Sequence, residues 1–127
     1  MARVQGRPGN WGEFSAIGWA NADGEIKAGV VFNGYDHPNI LFHISAETLT
    51  PEFVYAFLRY PFLQLKVNRI TGLIARKNKK CRRFAVHLGA TLEGTMHKAL
   101  ANDDVCIYGL FQNDAQKWLD RLGKKYG

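Results

Sequence analysis

Between Arg76 and Arg83 six of eight residues are Lys or Arg, at Arg76, Lys77, Lys79, Lys80, Arg82 and Arg83. The stretch reads on as RKNKKCRRFAVHLG, with Asn78 placed as a cap, Cys81, Phe84, Ala85 and Leu88 on one helical face, and Gly89 as a left-handed stop. The cations therefore crowd the first turns of a helix. That end already carries the positive pole of the macrodipole and unsatisfied N–H groups, so each cation there is unfavourable by about 0.3–1 kcal/mol when little screened. An anion would relieve the conflict, and phosphate is the usual guest at a helix N-terminus. The plainer reading has the side chains splayed into water. Three further side chains could move protons: His43 in the apolar run NILFHIS, Glu47 just beyond it, and Tyr108 in VCIYGLF. Each also has a structural reading, as a half-buried strand histidine, a solvated loop acid and a packed aromatic.

Composition narrows the partners. Seventeen basic against eleven acidic residues leave +6, the same as the charge packed between Arg76 and Arg83, so the excess is local. Nucleic acid, a phosphorylated small molecule and a solvated basic face all fit it. The two cysteines, Cys81 and Cys106, have no zinc spacing, and the four histidines form no helical pair, so no structural metal is expected. A chain of 127 residues with 46% hydrophobic content predicts one domain over 1–127 with its own core. No apolar run approaches the ~20 residues of a membrane span, and no apolar segment follows the charged N-terminus. The expectation is a soluble, unexported protein of the cytoplasm.

The elements that must position these residues follow from periodicity. EFSAIGWA, IKAGVVF and NILFHIS, separated by NADG and NGYDHP, predict a three-stranded antiparallel meander over 13–45, after a Gly- and Pro-rich lead of about a dozen residues. Thr50, Pro51 and Glu52 mark a helix start, and Val54, Phe57, Leu58, Phe62 and Leu65 form its apolar stripe, with a kink or early end at Pro61. VNRITGLIA predicts a strand at 67–75. ATLEGTMHKAL, ANDD and VCIYGLF predict a final hairpin, and QNDAQKWLDRLGKK a C-terminal helix with Trp118 and Leu122 facing inward.

In order and spacing, residues 67–111 resemble the C-terminal half of the GNAT superfamily of N-acetyltransferases. The matching residues are Asn78, Cys81 in the place of a Ser, Leu88, Gly89, Ala90 in the place of a Phe, Glu93, Gly94, Tyr108 and Gly109. The likeness spans 13–111, with 112–127 a C-terminal helix. It implies an α+β (mixed α/β) fold: a mostly antiparallel mixed sheet of about six strands flanked by about three helices, without the family's N-terminal strand and helices. It also implies acetyl-CoA as co-substrate, an amine-bearing acceptor that is a small molecule or a protein, and no metal. Asn78 and Cys81 would then lie beside the pantetheine arm, and Lys79, Lys80, Arg82 or Arg83 would meet the phosphates. Backbone N–H groups around Phe42, His43 and Ile44 would face the thioester carbonyl, where negative charge grows. His43 or Glu47 would take the acceptor's proton; Ala85 holds the place of the family's tyrosine acid, so either Cys81 or Tyr108 serves instead, or the acid is dispensable, or the site is inactive.

Three departures qualify these implications. SAETLTP lacks the glycines of the family's phosphate loop, and Pro51 removes one N–H there. Ala85 cannot protonate a thiolate. The short lead resembles small phage-encoded acetyltransferase-like proteins and leaves the acceptor side open to a macromolecule or to a second copy in a homodimer; Trp11 and Trp19 could line it, though core or edge packing is the favoured reading of both. The alternatives are a catalytically degenerate binding protein of the same fold and, third, a nucleic-acid binder; the basic run has no interleaved aromatics, which ranks nucleic acid low.

Overall fold

A computed structural model describes the backbone of residues 2–9, 12–20, 22–47 and 49–127, and their side chains from residue 15 onward. Four strands come first, β1 (Ala2–Gly9), β2 (Gly12–Ala20), β3 (Ile26–Asp36) and β4 (Asn39–Ala46). Helix α1 (Pro51–Arg59), β5 (Arg69–Ala75), α2 (Lys79–Leu88), the hairpin β6 (Thr91–Leu100) and β7 (Asp103–Phe111), and α3 (Gln112–Tyr126) follow. The strands form one sheet in the order β1-β2-β3-β4-β5-β7-β6, and among the described residues only β4 and β5 pair in parallel. This is the expected α+β architecture with one more strand than expected. The lead read as preceding the first strand is itself a strand, paired from Ala2↔Trp19 to Gly9↔Gly12. Its sequence, ARVQGRPG, has only Ala2 and Val4 as apolar side chains ahead of a Gly- and Pro-rich end, and Pro8 is tolerable because an edge strand needs only one row of hydrogen bonds.

All three helices pack on one face. The connections β4-α1-β5 and β5-α2-β6 each join parallel-running strands, and right-handed crossovers in the same direction put both helices on the same side. There α1 buries Phe53, Val54, Phe57 and Leu58 against Ile17, Val30, Phe32, Phe42 and Ile70, and α3 closes the layer with Ala115 and Leu119. Thr50 caps α1 as its sequence predicts, its Oγ1 accepting from the Phe53 amide at 3.2 Å. Pro61 has no N–H to return to Phe57, and the chain widens into a π-helical turn over Tyr60–Gln64, closed by the Leu65 amide on the Tyr60 carbonyl at 3.1 Å. Trp118 and Leu122 pack only partly buried; Trp118 is held where its Nε1 donates to the Leu88 carbonyl at 3.0 Å. On the opposite face lie Gly29, Val31, His43, Arg69 and Thr71, and no helix of the described residues covers them.

Candidate active site

The two parallel strands part. β4 and β5 pair only from Asn39↔Arg69 to Phe42↔Gly72, after which β4 stays with β3 as far as Ala46 and β5 with β7 as far as Ala75. Phe42 is the wedge: a Cβ on Gly72 would lie 2.3 Å from the Cζ of its ring. Which backbone groups face the gap follows from register. The Glu47 amide donates to the Lys27 carbonyl at 2.8 Å and Ala46 stands opposite Ala28, so odd-numbered residues of β4 bond to β3. Ile44 and Ala46 therefore turn their N–H and C=O toward the gap, while the amide of His43 belongs to the β3 ladder.

The first turn of α2 seats on the wide end of this gap. Asn78 caps it, Oδ1 accepting from the Cys81 amide at 3.2 Å. The Ala46 amide donates to the Cys81 sulfur, and burial raises that thiol above its usual pKa, so it is a neutral thiol at neutral pH. Lys80 Nζ donates to the Glu47 carbonyl. Gly89 ends the helix at φ 106°, the left-handed stop its sequence predicts.

The basic run divides by job. Arg76 pairs with Asp104 at 3.6 Å, and Lys77 bonds the Asn102 carbonyl through Nζ at 2.8 Å and the Asp103 carboxylate through its amide at 2.9 Å. Arg82 donates from Nε to the Tyr108 hydroxyl at 3.0 Å and from Nη1 to the Arg76 carbonyl at 3.1 Å. These three cations tie the loop before α2 to the β6–β7 hairpin. Lys80 and Arg83 instead line a groove of about 580 Å³ between α1, α2 and α3, walled by Pro51, Trp118 and Arg121. Arg121 stacks over Trp118, 4.9 Å from its ring centre, and among the described residues no Asp or Glu lines this groove. Lys79 and Arg82 face a second groove of about 710 Å³ on the other side of α2. Arg121 and Trp118 were not legible as site residues, because Trp118 carries an ordinary core spacing and only the packing of α3 brings Arg121 beside Arg83.

The three proton-transfer candidates are not brought together. His43 lies half-buried on the helix-free face, its Nε2 3.2 Å from Asn33 Oδ1, and burial lowers its pKa below the usual histidine value. With the Asn33 oxygen accepting, Nε2 carries the proton and Nδ1 is the basic nitrogen. Glu47 is 75% exposed and paired to Lys27 at 3.2 Å, which raises the Lys27 pKa chiefly through that hydrogen bond. Tyr108 is 2% exposed on the helix side, opposite Gly72 on β5, with its hydroxyl held by Arg82. Glu93 is the bulged residue of β6 and chelates Arg69 at 2.6 Å, and Gly109 supplies the room, since a Cβ there would lie 2.7 Å from Glu93 Oε2. Trp19 packs on the helix-side core rather than at an acceptor cleft, and Trp11 lies outside the described residues. Among the described residues no cluster of three or more His, Cys, Asp or Glu could hold a metal ion, and no helix is long and apolar enough to cross a membrane.

No protein-family profile and no curated protein matches the sequence. The fold, however, is that of solved N-acetyltransferases. A chimera of the Vibrio cholerae spermidine N-acetyltransferase SpeG and hSSAT superposes with a TM-score of 0.69 at 17% identity, covering 82% of this chain and 71% of that one. The dodecameric Vibrio cholerae spermidine N-acetyltransferase gives 0.68 at 19% identity over 85% and 68% of the two chains. A candidate acetyltransferase of T. thermophilus gives 0.69 at 20% identity over 91% and 66%. The chain thus has the mixed-sheet α+β fold of the GNAT acetyltransferases.

Proposed function

We propose that this chain transfers the acetyl group of acetyl-CoA to an amine. The observation that carries the reading is the parting of β4 and β5, which turns the Ile44 backbone into a gap directly beside His43. Acetyl-CoA supplies an activated acetyl group and a thiolate leaving group. Lys80, Arg83 and Arg121 fit its phosphates, and Trp118 offers an aromatic wall. The first turn of α1 fits them less well, because Pro51 has no N–H and the Phe53 amide is taken by Thr50. Phosphate binding rests here on side chains rather than on a backbone cradle.

An alkyl ammonium with a pKa near ~10.4 must lose a proton before it can attack. His43, kept neutral by its burial, accepts that proton at Nδ1. The Ile44 amide donates to the carbonyl oxygen as negative charge develops on it. The acceptor nitrogen bonds to the acetyl carbon as the C–S bond breaks; of the two protons the ammonium loses, one ends on the departing sulfur and one leaves through His43 to solvent. Tyr108 holds Arg82 and so fixes α2, and Glu47 anchors Lys27 and Lys80. A thiol-release assay with acetyl-CoA and a panel of amines tests the reading, the expected result being amine-dependent release.

A second reading is a binding protein of this fold without turnover, favoured by the reduced backbone cradle at Pro51 and by Ala85, a buried methyl at the place of the family's tyrosine acid. It predicts acetyl-CoA binding with no thiol release for any amine.

A further inference from the structure

On the helix-free face, β2, β3 and β4 carry a trough of about 450 Å³, inside the ~300–1,000 Å³ range of small-ligand sites. Its floor is made of missing side chains. Gly18 of β2 stands opposite Gly29 of β3, which stands opposite Ser45 of β4; in the next row Ala16, Val31 and His43 follow one another across the same strands. The backbone does not require either glycine. Neither has positive φ, and an added Cβ would meet nothing closer than 3.9 Å at Gly18 or 3.8 Å at Gly29. Glycine inside a strand is disfavoured by roughly 0.5–1 kcal/mol relative to Ala. What the pair contributes is a flat, open floor, with Ile26 rising at its side.

Among the described residues the lining is apolar apart from Ser45 and His43, and it contains no Asp or Glu. A linear polyamine needs carboxylates spaced to meet its separate charges, and the described residues of this trough supply none, in a chain of net charge +6. A single amine on a flat apolar body needs only a base at one end and a surface for the body. The trough supplies both, since His43 lies at one end of the row beside the glycine floor.

Resting on the acetyl-transfer reading, we infer that the acceptor is a monoamine with a flat apolar body, of the arylalkylamine class, lying on the Gly18–Gly29 floor with its nitrogen at His43. Valine at Gly29 fills the floor, and a β-branched residue suits a strand, so the fold is not at risk; a melting temperature equal to or above that of the parent checks this. The experiment compares phenethylamine, ethylamine and spermidine as acceptors for the parent and Gly29→Val, with acetyl-CoA affinity measured by calorimetry on both. The expected result is preference for phenethylamine over spermidine, a KM for phenethylamine raised tenfold or more by Gly29→Val, a smaller rise for ethylamine, which has no body to lie on the floor, and unchanged acetyl-CoA affinity. Preference for spermidine, or an unchanged phenethylamine KM in Gly29→Val, overturns the inference and leaves acetyl transfer standing. If the parent binds no acetyl-CoA, the transfer reading fails instead. The trough is then judged by calorimetry with phenethylamine alone: binding lost in Gly29→Val keeps it as an amine site, and no binding to the parent removes it.

Discussion

The ring of Phe42 lies over the backbone of Gly72, at the last pair before β4 and β5 part. The ring is 4% exposed and packs edge-on against Phe57 at 5.1 Å, so it cannot swing aside. Gly72→Ala forces a methyl into space that the ring fills, and overpacking of this kind costs about 1–3 kcal/mol. The expected outcome is a urea midpoint lowered accordingly; an unchanged midpoint would show that the ring is not fixed there.

Asn78 holds the start of α2 and with it the turn seated on Ala46 and Glu47. Asn78→Ala should destabilise by about 0.5–2 kcal/mol, the ordinary value of an N-cap. Asn78→Asp keeps the acceptor oxygen and adds a negative charge among cations at the positive helix end, so its stability should equal or exceed the parent's. Denaturant titration of the three proteins checks the order, and equal stability of the parent and Asn78→Ala would count against the cap.

In the proposed reaction His43 is the base, and the pH dependence follows from it. Its pKa is lowered by burial, so the unprotonated, base-competent form persists to lower pH than for a solvated imidazole. Amine acetylation should rise with pH through an ionisation below 6.5 and level off above it. By the same sign, the contribution of His43 to folding stability is present above about 6.5 and fades as pH falls through the lowered folded-state value. His43→Gln should reduce kcat/KM by about 10²–10⁴ and remove this ionisation from the profile. A variant that keeps the same low-pH limb would assign the proton transfer elsewhere.

Much of the frame was legible because single residues carried unambiguous physics. Thr50 and Pro51 start α1, Pro61 ends its regular turns, Asn78 and Gly89 bound α2, and the structure has each in that role. β1 was not legible, because a Gly- and Pro-rich stretch whose only apolar side chains are Ala2 and Val4 reads as a loop. The basic run shows the limit of composition. Six clustered cations read as one anion site, yet Arg76, Lys77 and Arg82 are tied to Asp104, Asn102 and Tyr108, partners 25 to 28 residues away in sequence. The trough was equally hidden, since Gly18 and Gly29 become a floor only when register sets them opposite each other.

The proposed acetyl transfer requires an anion groove, and Lys80, Arg83 and Arg121 line the one between the three helices. Calorimetric titration of acetyl-CoA at low salt into the parent, Arg83→Ala/Arg121→Ala and Lys79→Ala tests that groove directly. Charged hydrogen bonds are worth about 1.5–3 kcal/mol, so the double variant should bind at least tenfold more weakly than a one-to-one parent complex. Lys79, which faces the other groove, should change affinity less than twofold. No parent binding at millimolar acetyl-CoA, or equal affinity in the double variant, would contradict it.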